Sequence, residues 1–125
     1  TTEIYTLSLH DALPISDLWQ QKINEHYFIK AVSGNKIAGF ASLGPDGYVD
    51  LLFTNREHQR KGIATKQMVQ IENKSRKLGI TTIKAEVSIT ALPFFSKNGF
   101  VIREKQQKRI KNTVLENYRM EKILR

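Results

Sequence analysis

Gln59-Arg60-Lys61-Gly62-Ile63-Ala64 lies between an apolar run, Tyr48 to Thr54, and a helical pattern that begins near Thr65. A loop that joins a strand to a helix points unpaired backbone N–H groups outward along the positive end of the helix dipole, which suits it to hold an anion. Gly62 supplies backbone freedom, Ala64 keeps the first turn small, and Arg60 and Lys61 add charge at the same place. The stretch reads as a pyrophosphate cradle. Alone, six residues of the form Q/R-x-x-G-x-G/A are weak grounds, and a basic turn at the start of a surface helix is the plainer account. The flanks favour the cradle, because such a motif needs a buried-type strand before it and an amphipathic helix after it.

Working outward, Tyr48 to Thr54 is apolar except for Asp50, which suggests cover on both faces. His26 to Val32 and Lys36 to Leu43 are rich in β-formers and flank Ser33-Gly34-Asn35, so they read as a hairpin. Gly44-Pro45-Asp46-Gly47 is a second turn, so three antiparallel strands precede the cradle. Beyond it, Ala64, Met68, Ile71, Ser75 and Leu78 fall at helical spacing, with Lys66, Gln67, Gln70, Asn73, Lys74 and Lys77 opposite, and Gly79 is the stop. Ile80 to Ser88 is then a strand reached by a helical crossover, hence parallel to the strand before the cradle. A short helix follows with Thr90 as N-cap, Pro93 in its first turn and Gly99 as terminator. Phe100 to Gln107 and Val114 to Leu124 close the chain, joined by the turn Lys108 to Asn112.

A chain of 125 residues that is 40% hydrophobic holds one modest core and one domain. No apolar run approaches membrane-spanning length and none reads as a signal peptide, so the expectation is a cytoplasmic protein. Without cysteine there is no disulfide, thiolate metal site or cysteine acyl-enzyme. His10, His26 and His58 share no ligand spacing, so no metal is implied. The net charge of +8 is uneven: residues 1–50 carry three Lys/Arg against six Asp/Glu, or −3, and residues 51–125 seventeen against six, or +11. Such a field attracts a phosphate-rich cofactor and nucleic acid alike.

Asp50-Leu51-Leu52-Phe53, Ser88-Ile89-Thr90-Ala91-Leu92-Pro93-Phe94-Phe95, Gly99-Phe100 and Asn117-Tyr118-Arg119-Met120-Glu121-Lys122, taken with the cradle, resemble a GNAT-fold N-acetyltransferase of the YafP-like branch. The resemblance covers roughly Tyr27 to Leu124. It implies an α/β (α+β) fold in the order ββββαβαββ, with a mixed central sheet, antiparallel N-terminal strands followed by a β-α-β unit, and helices on both faces. It also implies that the strand before the cradle splays from its parallel neighbour.

The resemblance further implies acetyl-CoA as cosubstrate, held at the pyrophosphate by Gln59, Arg60, Lys61, Gly62, Ile63, Ala64 and Thr65. The pantetheine arm falls to the backbone of Leu52, Phe53 and Thr54, where one N–H polarises the acetyl carbonyl; these residues can serve the core at the same time. Asp50 is the candidate for accepting the amine proton, directly or through water, since an acid beside a cleft is better placed as a base than one in bulk water. Its alternatives are orienting a basic neighbour or binding the acceptor ammonium. Ser88 and Phe95 stand where the family commonly has Asn and Tyr. Phe95 cannot protonate a departing thiolate, so it reads as a channel wall, and water, Tyr48, Tyr118 or no acid at all remain open. The implied partner is an amine of a small molecule or peptide, with no membrane, and a homodimer is allowed.

The rival class is a non-catalytic module that binds acetyl-CoA or uses Arg103, Lys105, Lys108, Arg109 and Lys111 on nucleic acid. Those cations alternate with polar residues rather than aromatics, so base stacking is unsupported and a solvated turn is the plainer account. At the other end, Leu7–Ile15 resembles translated adaptor read-through, although a short helix from Ser8 ended by Pro14 is an ordinary alternative. Residues 1–16 are therefore expected to be a non-native or disordered segment, and 17–125 the domain with its first elements missing. Leu18, Trp19 and Ile23 would form one face of a remaining helix.

Overall fold

The computed structural model describes residues 2–6, 27–55 and 62–125. Its elements are β1 (Thr2–Thr6), β2 (Tyr27–Ser33), β3 (Lys36–Leu43), β4 (Val49–Thr54), α1 (Ile63–Lys77), β5 (Thr82–Ser88), α2 (Leu92–Lys97), β6 (Val101–Ile110) and β7 (Thr113–Ile123). That is the expected order, with boundaries shifted by a few residues. The fourth strand before the cradle is β1, which pairs antiparallel with β2 from Thr2↔Ser33 to Thr6↔Ile29. Five residues are too few to show a period in the sequence. Residues 7–16 and the helix expected from Leu18, Trp19 and Ile23 lie outside the described residues, as does any element on the sheet's other face that they would supply.

The mixed sheet consists of two antiparallel sheets, β1-β2-β3-β4 and β5-β7-β6. They meet where β4 and β5 run parallel, at one bridge between Tyr48 and Lys84, fastened by the Lys84 N–H donating to Gly47 O at 2.9 Å. Beyond that point the two strands part. The core lies across the seam: Ile29, Ala41, Leu43 and Val49 from the first sheet pack with Ile83, Ala85, Val87 and Met120 from the second and with Met68 and Ile71 of α1. Full burial of each large side chain contributes about 1.5–3 kcal/mol, so helix and seam hold one another.

Three expectations are corrected here. Gln67, expected on the solvent face of α1, is fully buried, and Leu78, expected in the core, is 53% exposed. The buried stripe is instead Ile63, Gln67, Met68, Ile71, Glu72 and Ser75. Gln67 fits because β3 presents Gly39 beneath it: a Cβ there would lie 3.0 Å from Gln67 Oε1 and 3.1 Å from Nε2. Glu72 is tolerated because Lys122 of β7 reaches it at 2.9 Å. Thr90 is not the cap of α2. Ala91 holds that position, and its N–H donates to Ser88 Oγ at 3.2 Å, so the preceding serine closes the turn. Finally, β4 is not covered on both faces, since Phe53 is 53% exposed. Once β5 has diverged, the outward face of β4 borders a cleft rather than an interior. Among the described residues no helix is long and apolar enough to cross a membrane.

Candidate functional site

The site begins with a break in β4. Leu43 pairs with Val49 but Ser42 with Leu51, so Asp50 is an extra residue in a β-bulge. Bulges bend a strand and increase its twist, which turns β4 away from β5 just past their bridge. Beyond the bulge the ladder to β3 is regular, and the Asn55 N–H donates to Ala38 O at 2.6 Å. Antiparallel pairs alternate between bonded and non-bonded residues. Phe53 therefore spends its N–H and C=O on Phe40, while Leu52 and Thr54 direct theirs to the open edge. Of the three backbone positions expected to hold a pantetheine arm, two face the cleft by their main chain and Phe53 borders it by its side chain.

At the cradle, Gly62 is the N-cap of α1 with φ +75° and ψ 11°, a left-handed conformation that a side chain disfavours. Among the described residues no atom lies within 4 Å of where its Cβ would stand. The cap makes no side-chain hydrogen bond and the first turn carries no acid, so nothing of the described chain neutralises the dipole there. The Lys66 N–H returns to Gly62 O at 3.0 Å, closing the first helical bond. Ile63 anchors this end by burying its side chain against Ala31 and Ala38, while Ala64 is half-buried and Thr65 exposed. Gln59, Arg60 and Lys61 lie outside the described residues, as do His10, His26 and His58.

Asp50 is half-buried beside Tyr48. Burial, then the Glu86 carboxylate and its hydrogen bond, then the charges of Asp50 and Asp46, hold the Tyr48 phenol above its ordinary 10.0. The structure thus groups Asp50, Tyr48 and Glu86 at the seam. Glu86 also accepts from Asn117 Nδ2 at 3.4 Å. Sequence reasoning missed Glu86, although it is the only acid on β5, the signal that singled out Asp50 on β4. Ser88 sits exposed at the end of β5, its hydroxyl engaged by Ala91. Phe95 is in the core, edge-on to Phe94 at 5.5 Å and to Phe100 at 5.0 Å between centroids. Tyr118 also packs against the core.

The basic hairpin is partly spoken for. Arg103 meets Glu121 at 3.3 Å and Lys105 meets Glu116 at 3.6 Å, whereas Arg109 and Lys111 are exposed. Two of the five cations proposed for nucleic acid therefore face acids of β7, which weakens that surface for a polyanion.

Known proteins share this fold. The family model for the acetyltransferase (GNAT) domain matches residues 7–124. The uncharacterized N-acetyltransferase YafP of Escherichia coli (strain K12) is 26% identical over 102 residues, covering 82% of this chain. The aligned stretch spans 64% of that relative's length. A GCN5-related N-acetyltransferase structure from Rhodopseudomonas palustris superposes with a TM-score of 0.81 at 21% identity, covering 99% of this chain and 96% of that one. YncA, a putative acetyltransferase from Salmonella typhimurium solved with acetyl-CoA, gives a TM-score of 0.81 at 14% identity, covering 100% and 95%.

Proposed function

Because the chain belongs to the acetyltransferase (GNAT) domain family, we propose that it is a cytoplasmic N-acetyltransferase that passes the acetyl group of acetyl-CoA directly to a primary amine of a small molecule or peptide. The observation that carries this reading is the divergence of β4 from β5 after one bridge, with the main chain of Leu52 and Thr54 turned to the gap and the uncapped start of α1 at the same strand's end. The fit to the cosubstrate rests on shape as well. The left-handed Gly62, with no described residue where a Cβ would stand, suits an anion against the first turn.

When bound, acetyl-CoA supplies the acetyl group as a thioester. The N–H groups of the first turn of α1, together with Gln59, Arg60 and Lys61 of the preceding stretch of sequence, would hold its pyrophosphate. Leu52 and Thr54 would pair with its pantetheine arm, and an N–H of that edge would polarise the acetyl carbonyl. Phe53 and Ser88 border the channel, and Phe95 supports it from the core. Asp50, set at the bulge, accepts the proton that the amine must lose, directly or through water. Tyr48 donates to Glu86 and so orients that carboxylate. The test mixes the protein with acetyl-CoA and a panel of amines and follows free thiol. Cofactor-dependent thermal stabilisation with amine-dependent thiol release is expected; stabilisation by oligonucleotide instead of by acetyl-CoA would sink the reading.

A further inference from the structure

β6 is the outer strand of the second sheet, and among the described residues no strand pairs with its free edge. Past Asn117↔Gln106, where β5 ends at Ser88, four further pairs from Gln107↔Glu116 to Ile110↔Thr113 carry the β6–β7 ribbon beyond the sheet. Val114 and Leu115, neighbours on β7 and so on opposite faces of that ribbon, are each 50% exposed. Two strands exposed on both faces are marginal by themselves, and a third makes a sheet of them. The free edge is set to accept one. The two-residue turn Lys111-Asn112 makes Ile110 and Thr113 a bonded pair, so by alternation Lys105, Gln107 and Arg109 turn their N–H and C=O groups outward. Natural edges are protected by bulges, proline or charge. The register break beside Arg103 serves the inner part of β6, whereas 104–110 holds no bulge and no proline, so charge alone guards it.

That charge selects the partner. β6 carries four cations, Arg103, Lys105, Lys108 and Arg109, against the single acid Glu104. A second copy pairing edge to edge would set those cations against their own kind. Nucleic acid binding without sequence preference relies on bases stacked on aromatic side chains, and the described ribbon offers only Tyr118, which packs on the core. Arg103 and Lys105 are held by Glu121 and Glu116, and Gln107 Nε2 also donates to Glu116 at 3.4 Å, whereas Arg109 and Lys111 make no ion pair among the described residues. Lys111 is also the one non-glycine residue among those described with a left-handed backbone, at φ 56°, a conformation that side chains resist. Strain of this kind concentrates at functional positions, and here it holds a cation at the tip of the ribbon. We propose that the edge of β6 docks an extended acidic segment of a partner protein, which adds as a third strand: its main chain pairs with Lys105, Gln107 and Arg109, and its carboxylates meet Arg109 and Lys111. The edge faces away from β5 and uses no residue assigned to acetyl transfer, so the dock is tested apart from that reading.

The probe is a labelled, capped peptide of alternating glutamate and threonine, with alternating lysine and threonine as the opposite-charge control and a thymidylate oligonucleotide as the polyanion control. Fluorescence anisotropy reads binding to the full chain. The acidic peptide should bind saturably, more weakly at high salt, and about tenfold or more tightly than the basic one. Gln107→Pro removes an outward N–H and spares the ladder to β7, so it should weaken the acidic peptide about tenfold. Arg109→Glu should do the same by charge. Lys111→Gly relaxes the turn, so it should raise the melting temperature while lowering peptide affinity, a split that a purely structural lysine does not give. Should Gln107→Pro not fold, the other two variants carry the test. No binding of the acidic peptide, equal binding of the two peptides, tighter binding of the oligonucleotide, or wild-type affinity in the variants overturns the dock. A dimer in sedimentation that Arg109→Glu or Gln107→Pro dissolves also overturns it, since a second copy then covers the edge.

Discussion

Gly62→Asp separates the backbone requirement at the cradle from the electrostatic one. An L residue in the left-handed region costs about 1–2 kcal/mol, with Asp near the low end. A carboxylate at a helix N-terminus returns about 0.3–1 kcal/mol through the dipole. No atom of the described residues lies within 4 Å of the new Cβ, so none of them adds a packing cost. Stability should therefore fall by about 1 kcal/mol, a loss of about 4 °C in melting temperature for a domain of this size. Binding should respond far more. A carboxylate about 5 Å from a phosphate at an effective dielectric of about 20 is opposed by about 3 kcal/mol per unit charge, or more than a hundredfold in Kd. Gly62→Ala carries comparable strain without charge and should lose less than tenfold. Calorimetric titration with acetyl-CoA at low and high salt reads all of this, and screening should restore part of the loss in the aspartate variant only. A folded Gly62→Asp that binds within threefold of wild type would remove the pyrophosphate from this helix end.

Asp50→Asn should leave acetyl-CoA affinity nearly intact and lower turnover by about two to four orders of magnitude, the scale of a lost general base. A rise confined to acceptor KM would assign Asp50 to acceptor binding instead. Gly39→Ala should destabilise the fold by about 1–3 kcal/mol in denaturant titration, because its Cβ would press on Phe53 O and on the Gln67 amide; an unchanged midpoint would mean that Gln67 has room to withdraw. Tyr48 is held above its ordinary value in the folded state, so the folded protein keeps the phenolic proton after the unfolded chain has begun to lose it. The associated stability is complete below about pH 10 and is lost as pH rises through the folded value. Glu86→Gln should flatten that decline, and identical alkaline stability profiles for the two proteins would contradict the coupling.

The order of elements was legible because each carries its own punctuation: turn residues at Ser33-Gly34-Asn35 and Gly44 to Gly47, a helical stripe through Met68 and Ile71, and Gly79 and Gly99 as stops. What escaped depends on relations between distant residues. Nothing in VDLLFT announces that one residue is extra; the bulge exists only against the register of β3. Gln67 looks like a surface residue until Gly39, far away in sequence, is placed beneath it. Asp50 and Gly62 were readable because each is an anomaly in its own segment, an acid in an apolar strand and a glycine at a helix start.

The charge distribution gains a meaning once the bulge is placed. Asp46, Asp50 and Glu86 gather around Tyr48 at one end of the seam, while the start of α1 presents a positive dipole beyond the far end of β4. A single strand thus separates a site suited to cations from a site suited to an anion. An amine arrives protonated near neutral pH and must become neutral before it can attack a carbonyl. In the proposed mechanism, acids at the seam would first attract the ammonium and then, through Asp50, take its proton where the freed amine is needed. The same acids would repel a phosphate, so on the proposed reading a polyphosphate cosubstrate would lie at the α1 end and its thioester would reach towards the bulge. If the field orients the reactants in this way, reversing the charge at Asp50 with lysine should weaken amine binding more than acetyl-CoA binding.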